Sequence, residues 1–221
     1  MFHEQLIERA EPLLSKVKDH PFWSGLRDGT LPPECLSHFV EQDTGHLLPA
    51  YARALARTAA AAPSDAHTAL FGRSAFSSLE ARDRLRTAYG ELAGELGLRA
   101  ARDDAPVDPA THAHAAFFAA ASATSFVAGV GALLPMVWFN HQVSDDLLAR
   151  RSSPRYAPWI EVYHPGEGYR YAVKGFLAMV DAVAEQASER QRRELVEQFS
   201  LSIRYEWAFA ETAWSRAGWP V

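Results

Sequence analysis

His20-Pro-Phe-Trp-Ser-Gly-Leu-Arg-Asp-Gly-Thr-Leu-Pro-Pro-Glu34, continuing into Phe39-Val-Glu-Gln-Asp43, carries more structural information than any other stretch of this chain. Gly25, Gly29, Pro32 and Pro33 punctuate it, so residues 25–33 read as a loop. Pro33 and Glu34 then suit a first helical turn, where proline's missing N–H costs nothing and an acid complements the helix dipole. Upstream, Phe2, Leu6, Ala10, Leu13, Leu14 and Val17 recur at helical spacing and predict a helix ending near Asp19 and His20. Downstream, a second helix is expected over residues 33–62, kinked at Pro49. Asp43 falls among apolar neighbours on that helix, an expensive place for a carboxylate that has no task.

The rest of the chain reads as helices separated by Gly and Pro. Ser64 or Asp65 caps a long helix that stops at Gly97. Further helices are expected over residues 109–121, 125–149, 156–163, 169–185 and 188–217, with Pro154, Pro165-Gly166 and Gly218 at the breaks. No segment alternates with period two, and no linker or repeat interrupts the pattern. The expectation is one all-α domain over residues 1–221, built from seven to eight helices.

Bulk properties narrow the function classes. At 221 residues and 48% hydrophobic, the chain can bury a sizeable core. Its net charge of −5 leaves no basic footprint for nucleic acid; the arginines at 82–86 and 190–193 alternate with acids as on solvated helix faces. The apolar run at residues 119–135 is Ala/Gly/Ser-rich and falls short of the about 18 residues of a membrane span, so no membrane partner is expected. Glu4, Glu8 and Glu11 do not suit a secretory leader, and the single Cys35 excludes an internal disulfide framework; both point to the cytoplasm.

Four ordered blocks resemble the TenA/thiaminase II family, which has the haem-oxygenase-like helical fold. They are His20-Pro-Phe with Asp28-Gly-Thr-Leu-Pro32 and Gln42-Asp43; Leu133-Leu-Pro-Met-Val-Trp138; Tyr156-Ala-Pro-Trp-Ile-Glu-Val-Tyr163; and Tyr205-Glu-Trp-Ala-Phe209 with Ala213. The match spans nearly the whole chain. The resemblance implies a pocket for a 4-aminopyrimidine, with Asp43 as the ring-recognising acid, Glu206 as the acid/base, Tyr163 as its supporting phenol and Phe209 packed on the ring. Such an enzyme needs no cofactor, binds a small-molecule substrate and assembles as a homodimer or homotetramer.

This chain departs from the family pattern at four places. Met136 stands where the family has its nucleophilic Cys, and a thioether forms no thiolate. His46 replaces a Tyr three residues after the Asp, Ala113 is the expected equivalent of a Tyr on the helix over 109–121, and Asn140 replaces an aromatic. Trp138 and Phe139 flank the Met136 position and are both expected to line the pocket. Asp43 and His46, at i and i+3, are expected to share a face, with His46 a second base, a ligand contact or a structural partner of Asp43.

No metal is expected. The one di-iron-like half-motif, Glu161-Val-Tyr-His164, runs into Pro165-Gly166, and the Glu80/Asp83 region lacks a partner His. Ala128-Gly-Val-Gly131 fits a close helix crossing better than a haem face. The expected activity is a cysteine-free hydrolase of TenA type, closest to an aminopyrimidine hydrolase of thiamin salvage. A specialised-metabolite enzyme on the same scaffold, or a non-enzymatic small-molecule binder, are the alternatives.

Overall fold

A computed structural model describes residues 1–220. In chain order the helices are α1 (Phe2–Lys18), α2 (Pro21–Asp28), α3 (Pro33–Gln42), a π-helical turn (Asp43–Leu47), α4 (Leu48–Ala60), α5 (Asp65–Leu96), α6 (Pro109–Thr124), α7 (Phe126–Arg150), α8 (Ala157–Tyr163), α9 (Gly168–Gln186) and α10 (Glu189–Ser215). The described residues contain no strand.

The predicted boundaries hold to within a few residues wherever a cap defines them. The Ser64 side chain accepts from the His67 N–H and Gly97 takes φ +64° at the far end of α5. Asp108 caps α6 by accepting from the Thr111 N–H at 2.6 Å. Ser188 and Gln191 form a reciprocal capping box at the start of α10.

The segment over residues 25–33 is a correction: Gly25 to Asp28 belong to α2, not to a loop. Pro21 supplies the first-turn position, and His20 Nδ1 accepts from the Phe22 N–H at 3.2 Å. Gly25 is needed because a Cβ there would lie 3.1 Å from the Leu31 backbone. Gly29, at φ +80°, ends the helix; a Cβ there would come 2.8 Å from Ser153 Cβ. Arg27 is almost fully buried and fastens α2 to the Lys18 carbonyl and to Asp146 of α7. His20 Nε2 meets Glu211 of α10 at 3.0 Å, and Tyr156 donates to the Leu31 carbonyl at 2.7 Å. The opening motif is thus a structural corner that binds α2, α10 and the α7–α8 segment around the base of the bundle.

The axis of the bundle is α7, which packs chiefly on α10 and also on α6, α9 and α4. Small residues allow this: a Cβ on Gly129 would meet Thr58 Oγ1 at 2.6 Å, and one on Gly131 would meet the Leu195 carbonyl at 2.6 Å. The Gly-Val-Gly segment is therefore a close helix crossing. Among the described residues α7 is the one helix long and apolar enough to cross a membrane, longer than the run read from the sequence, and most of it lies inside the bundle. Pro135 removes one N–H from its ladder. Two carbonyls of the preceding turn accept from outside the helix, Ala132 from Ser202 of α10 at 2.7 Å and Leu133 from Tyr51 of α4 at 2.9 Å.

Candidate active site

A cavity of about 550 Å³ opens beside α7. Its inner wall combines Asp43, Tyr51, Met136, Asn140, Tyr163, Tyr169, Glu206 and Phe209, contributed by the π turn and five helices. Its outer part is lined by Arg73, Ser74, Ser77, Ser78 and Arg84 of α5.

Asp43 owes its placement to a local irregularity. Pro49 has no N–H for the Gly45 carbonyl and its ring crowds that carbonyl, so the regular i→i−4 ladder cannot continue. The chain widens instead into a π turn, in which the Leu48 N–H reaches the Asp43 carbonyl. Thr44 anchors the turn by donating to the Val40 carbonyl at 2.6 Å and accepting from Arg86 at 3.1 Å. Asp43 is left 5% exposed with its carboxyl on the cavity. Gln42 beside it turns the other way, donating to the Pro106 carbonyl and accepting from the Asp108 N–H.

Burial pushes the Asp43 carboxyl up to about 7. Glu206 is raised to about 8, first by burial and then by repulsion from Asp43. Its Oε1 is buried without a hydrogen-bond partner. Desolvation also drives the Tyr163 phenol well above its ordinary value, helped by both carboxylates and opposed by the Asn140 side chain. Tyr51 and Tyr169 are raised for the same reason, so all three phenols stay protonated and act as neutral donors. The chamber therefore holds two desolvated carboxyls whose proton affinities are raised toward neutral pH, with phenol hydroxyls around them.

An aromatic stack frames that end. Tyr163 stacks on Trp159 with centroids 5.0 Å apart and lies 5.5 Å from Trp23, while Phe39 meets Phe209 at 5.3 Å. The rings of Phe39, Tyr163 and Phe209 pack on one another along the chamber wall, where a flat heteroaromatic ligand can lie against them.

Of the residues singled out from the sequence, Asp43, Glu206, Tyr163, Phe209, Met136, Asn140 and Phe139 line this cavity. Three do not. Trp138 is buried beside Phe139 but does not line the cavity. His46 leaves the face of Asp43 because the wider π turn breaks the i, i+3 alignment; its Nε2 sits 2.8 Å from the Ala105 carbonyl. Ala113 lies off the cavity, and the next residue, His114, turns inward instead: it is 1% exposed, with Nε2 3.9 Å from Glu206 Oε1. Burial depresses His114 to about 3, so it is neutral. Tyr51 and Tyr169 were not foreseen. Tyr51 could have been found, since Asp43, Leu47, Leu48 and Tyr51 follow one another on a single helical stripe.

Cys35 lies outside the cavity and donates to the Trp214 carbonyl at 3.3 Å. Glu161 pairs with Arg151 at 2.7 Å and His164 Nε2 lies 2.9 Å from Asp145, so the two residues of the half-motif engage separate partners. Among the described residues no group of three His, Cys, Asp or Glu could hold a metal ion.

An all-helical bundle folded around a chamber lined by two buried carboxyls has the haem-oxygenase-like fold. This chain belongs to the TENA/THI-4/PQQC family, whose profile matches residues 7–216. It is 29% identical to the aminopyrimidine aminohydrolase of Bacillus subtilis (strain 168) over 90% of this chain and 84% of that protein. It is 30% identical to the thiamine biosynthesis multifunctional protein ThiED of Corynebacterium efficiens over 97% of this chain, which spans only 28% of that protein. The TenA homologue from P. horikoshii OT3 superposes with a TM-score of 0.81 at 24% identity, over 98% of this chain and all of that one. A domain with a heme oxygenase-like fold from Shewanella denitrificans OS217 gives 0.69 at 13% identity, covering 97% and 90%. The structural likenesses establish the fold.

Proposed function

We propose that this chain is a cofactor-independent TenA-type hydrolase that cleaves a C–N bond of an aminopyrimidine derivative, of the kind met in thiamin salvage, without a cysteine nucleophile. The observation that carries the reading is the pair of proton-holding carboxyls, Asp43 and Glu206, on one chamber with Met136 in the thiol position. The names of the aminohydrolase relatives support the substrate class.

In this reading Asp43 engages a ring nitrogen and exocyclic amine as acceptor and charge partner. Protonated Glu206 gives its proton to the departing amine, and as carboxylate it takes one from the attacking water. The sum is R–NH2 + H2O → R–OH + NH3, with Glu206 restored. Tyr163 and Tyr169 supply donors as charge moves, while Tyr51 donates to the Leu133 carbonyl. The protein acts in the cytoplasm as a homodimer or homotetramer, a reading supported by exposed Trp207, Trp214 and Trp219.

Incubation with a 5-aminomethyl-4-aminopyrimidine, followed by mass spectrometry, tests this. Ammonia and the matching alcohol should appear, and neither Asp43→Asn nor Glu206→Gln should retain more than about a hundredth of the rate. No turnover of any 4-aminopyrimidine would overturn it.

The cavity size favours a second reading, a specialised-metabolite enzyme on this scaffold. A substituted aminopyrimidine of about ten heavy atoms fills roughly 150–200 Å³ at interior packing density, against about 550 Å³ here. A co-purified ligand much larger than one ring would establish it.

A further inference from the structure

Buried polar atoms without partners collect where α6 meets α10. They are Thr111 Oγ1, both ring nitrogens of His114, and Glu206 Oε1. The His114 ring is held between Phe118, at 4.3 Å, and Tyr205, at 5.0 Å and nearly parallel; Phe117 stacks on the same Tyr205. This packing fixes the plane of the imidazole and leaves Nε2 3.9 Å from Glu206 Oε1. That gap closes to a hydrogen bond with about 1 Å of side-chain movement. His114 does not line the cavity, whereas Glu206 does. The two Glu206 oxygens therefore differ: Oε1 is sealed against α6, and Oε2 is left as the oxygen that reaches the chamber.

We propose that His114 is a positioning residue for Glu206, its Nε2–H donating to Oε1 so that the exchangeable proton resides on Oε2, facing substrate. An oxygen that accepts from His114 stays carbonyl-like in the acid and charge-stabilised in the carboxylate, so the same contact serves both halves of a proton cycle. The contact requires the tautomer that carries its proton on Nε2. The depressed basicity of His114 agrees, because only a neutral imidazole offers a fixed single N–H without adding a buried charge. The other groups that act on Glu206 are Asp43 from the π turn, Tyr51 from α4, Tyr163 from α8 and Tyr169 from α9. His114 is the one that meets it from α6.

The inference rests on reading Glu206 as the proton carrier, but its test needs no substrate. Carbon-13 NMR of glutamate-labelled protein follows the Glu206 carboxyl against pH in wild type, His114→Phe and His114→Gln. Phe keeps the aromatic packing and removes the donor; Gln retains a donor. Losing one hydrogen bond to a charged group should raise the Glu206 midpoint by about 1–2 pH units in His114→Phe. His114→Gln should return most of the way to wild type. An unchanged or lowered midpoint in a folded His114→Phe protein overturns the proposal. So does a nitrogen-15 spectrum of wild type placing the His114 proton on Nδ1, a measurement that stands even if a variant fails to fold. Should a 4-aminopyrimidine be turned over, kcat is expected to drop about tenfold in His114→Phe with KM within about twofold, because the lost contact orients a proton rather than the ligand. Absence of turnover with the midpoint shifted as stated would sink the substrate reading and leave the role of His114 intact.

Discussion

Replacing Glu206 with Gln should stabilise the folded protein, and by an amount that grows with pH. The Glu206 carboxyl titrates at about 8 in the fold against an ordinary 4.5. Between those values the folded protein keeps a proton that the unfolded chain has released, so stability present below pH 4.5 is lost as pH rises toward 8. Each pH unit is worth about 1.4 kcal/mol, which gives roughly 3 kcal/mol by pH 7. The side chain is 15% exposed to the chamber, so about 2–3 kcal/mol is the working figure. A glutamine of the same shape has no proton to lose and escapes this penalty. Urea unfolding of both proteins at pH 5, 6, 7 and 8 measures the difference directly. The curves should nearly coincide at pH 5 and separate progressively, with the variant about 2–3 kcal/mol more stable at pH 7. A constant difference across that range, or a variant that weakens as pH rises, would refute the assignment of Glu206 as a buried, proton-holding acid. Greater stability combined with lost turnover is the pattern expected when a group is kept for chemistry at the expense of the fold.

His46→Ala should leave the ligand affinity of the chamber within about twofold, since His46 bonds the Ala105 carbonyl away from the cavity; the cost should appear as about 1 kcal/mol of stability in chemical denaturation. Met136→Cys places a thiol on the chamber wall, and a thiol-reactive probe should label that cysteine in preference to buried Cys35, whose own basicity is raised by desolvation. Gly131→Ala should destabilise by about 1–3 kcal/mol, because the new methyl would meet the Leu195 carbonyl at 2.6 Å and wedge α7 from α10.

What the sequence conveyed was whatever rests on local chemistry. Ser64, Gly97, Asp108 and Ser188 mark helix ends by the bonds their own atoms make, and those ends fell where expected. The residues lining the chamber at Asp43, Glu206, Tyr163 and Phe209 were reached through motif context that spans the chain. The misses come from geometry that only packing decides. Gly25 resembles a loop glycine, yet it lies inside α2 and is glycine because the Leu31 backbone leaves no room for a Cβ. The face of His46 depended on a π turn that Pro49 provokes, and no regular periodicity encodes that shift. His114 rather than Ala113 turns inward, an offset of one residue, which on a helix is a rotation of about 100° and separates the bundle interior from its flank. Arg73 and Arg84 join the chamber only because α5 lies across its mouth.

A single turnover of a 5-aminomethyl-4-aminopyrimidine in oxygen-18 water, quenched at intervals and read by intact-protein and small-molecule mass spectrometry, confronts the cysteine-free carboxyl chemistry most directly. The account predicts an alcohol carrying one heavy oxygen and a protein mass that never changes. A pyrimidine-sized increment on the protein during turnover would contradict it.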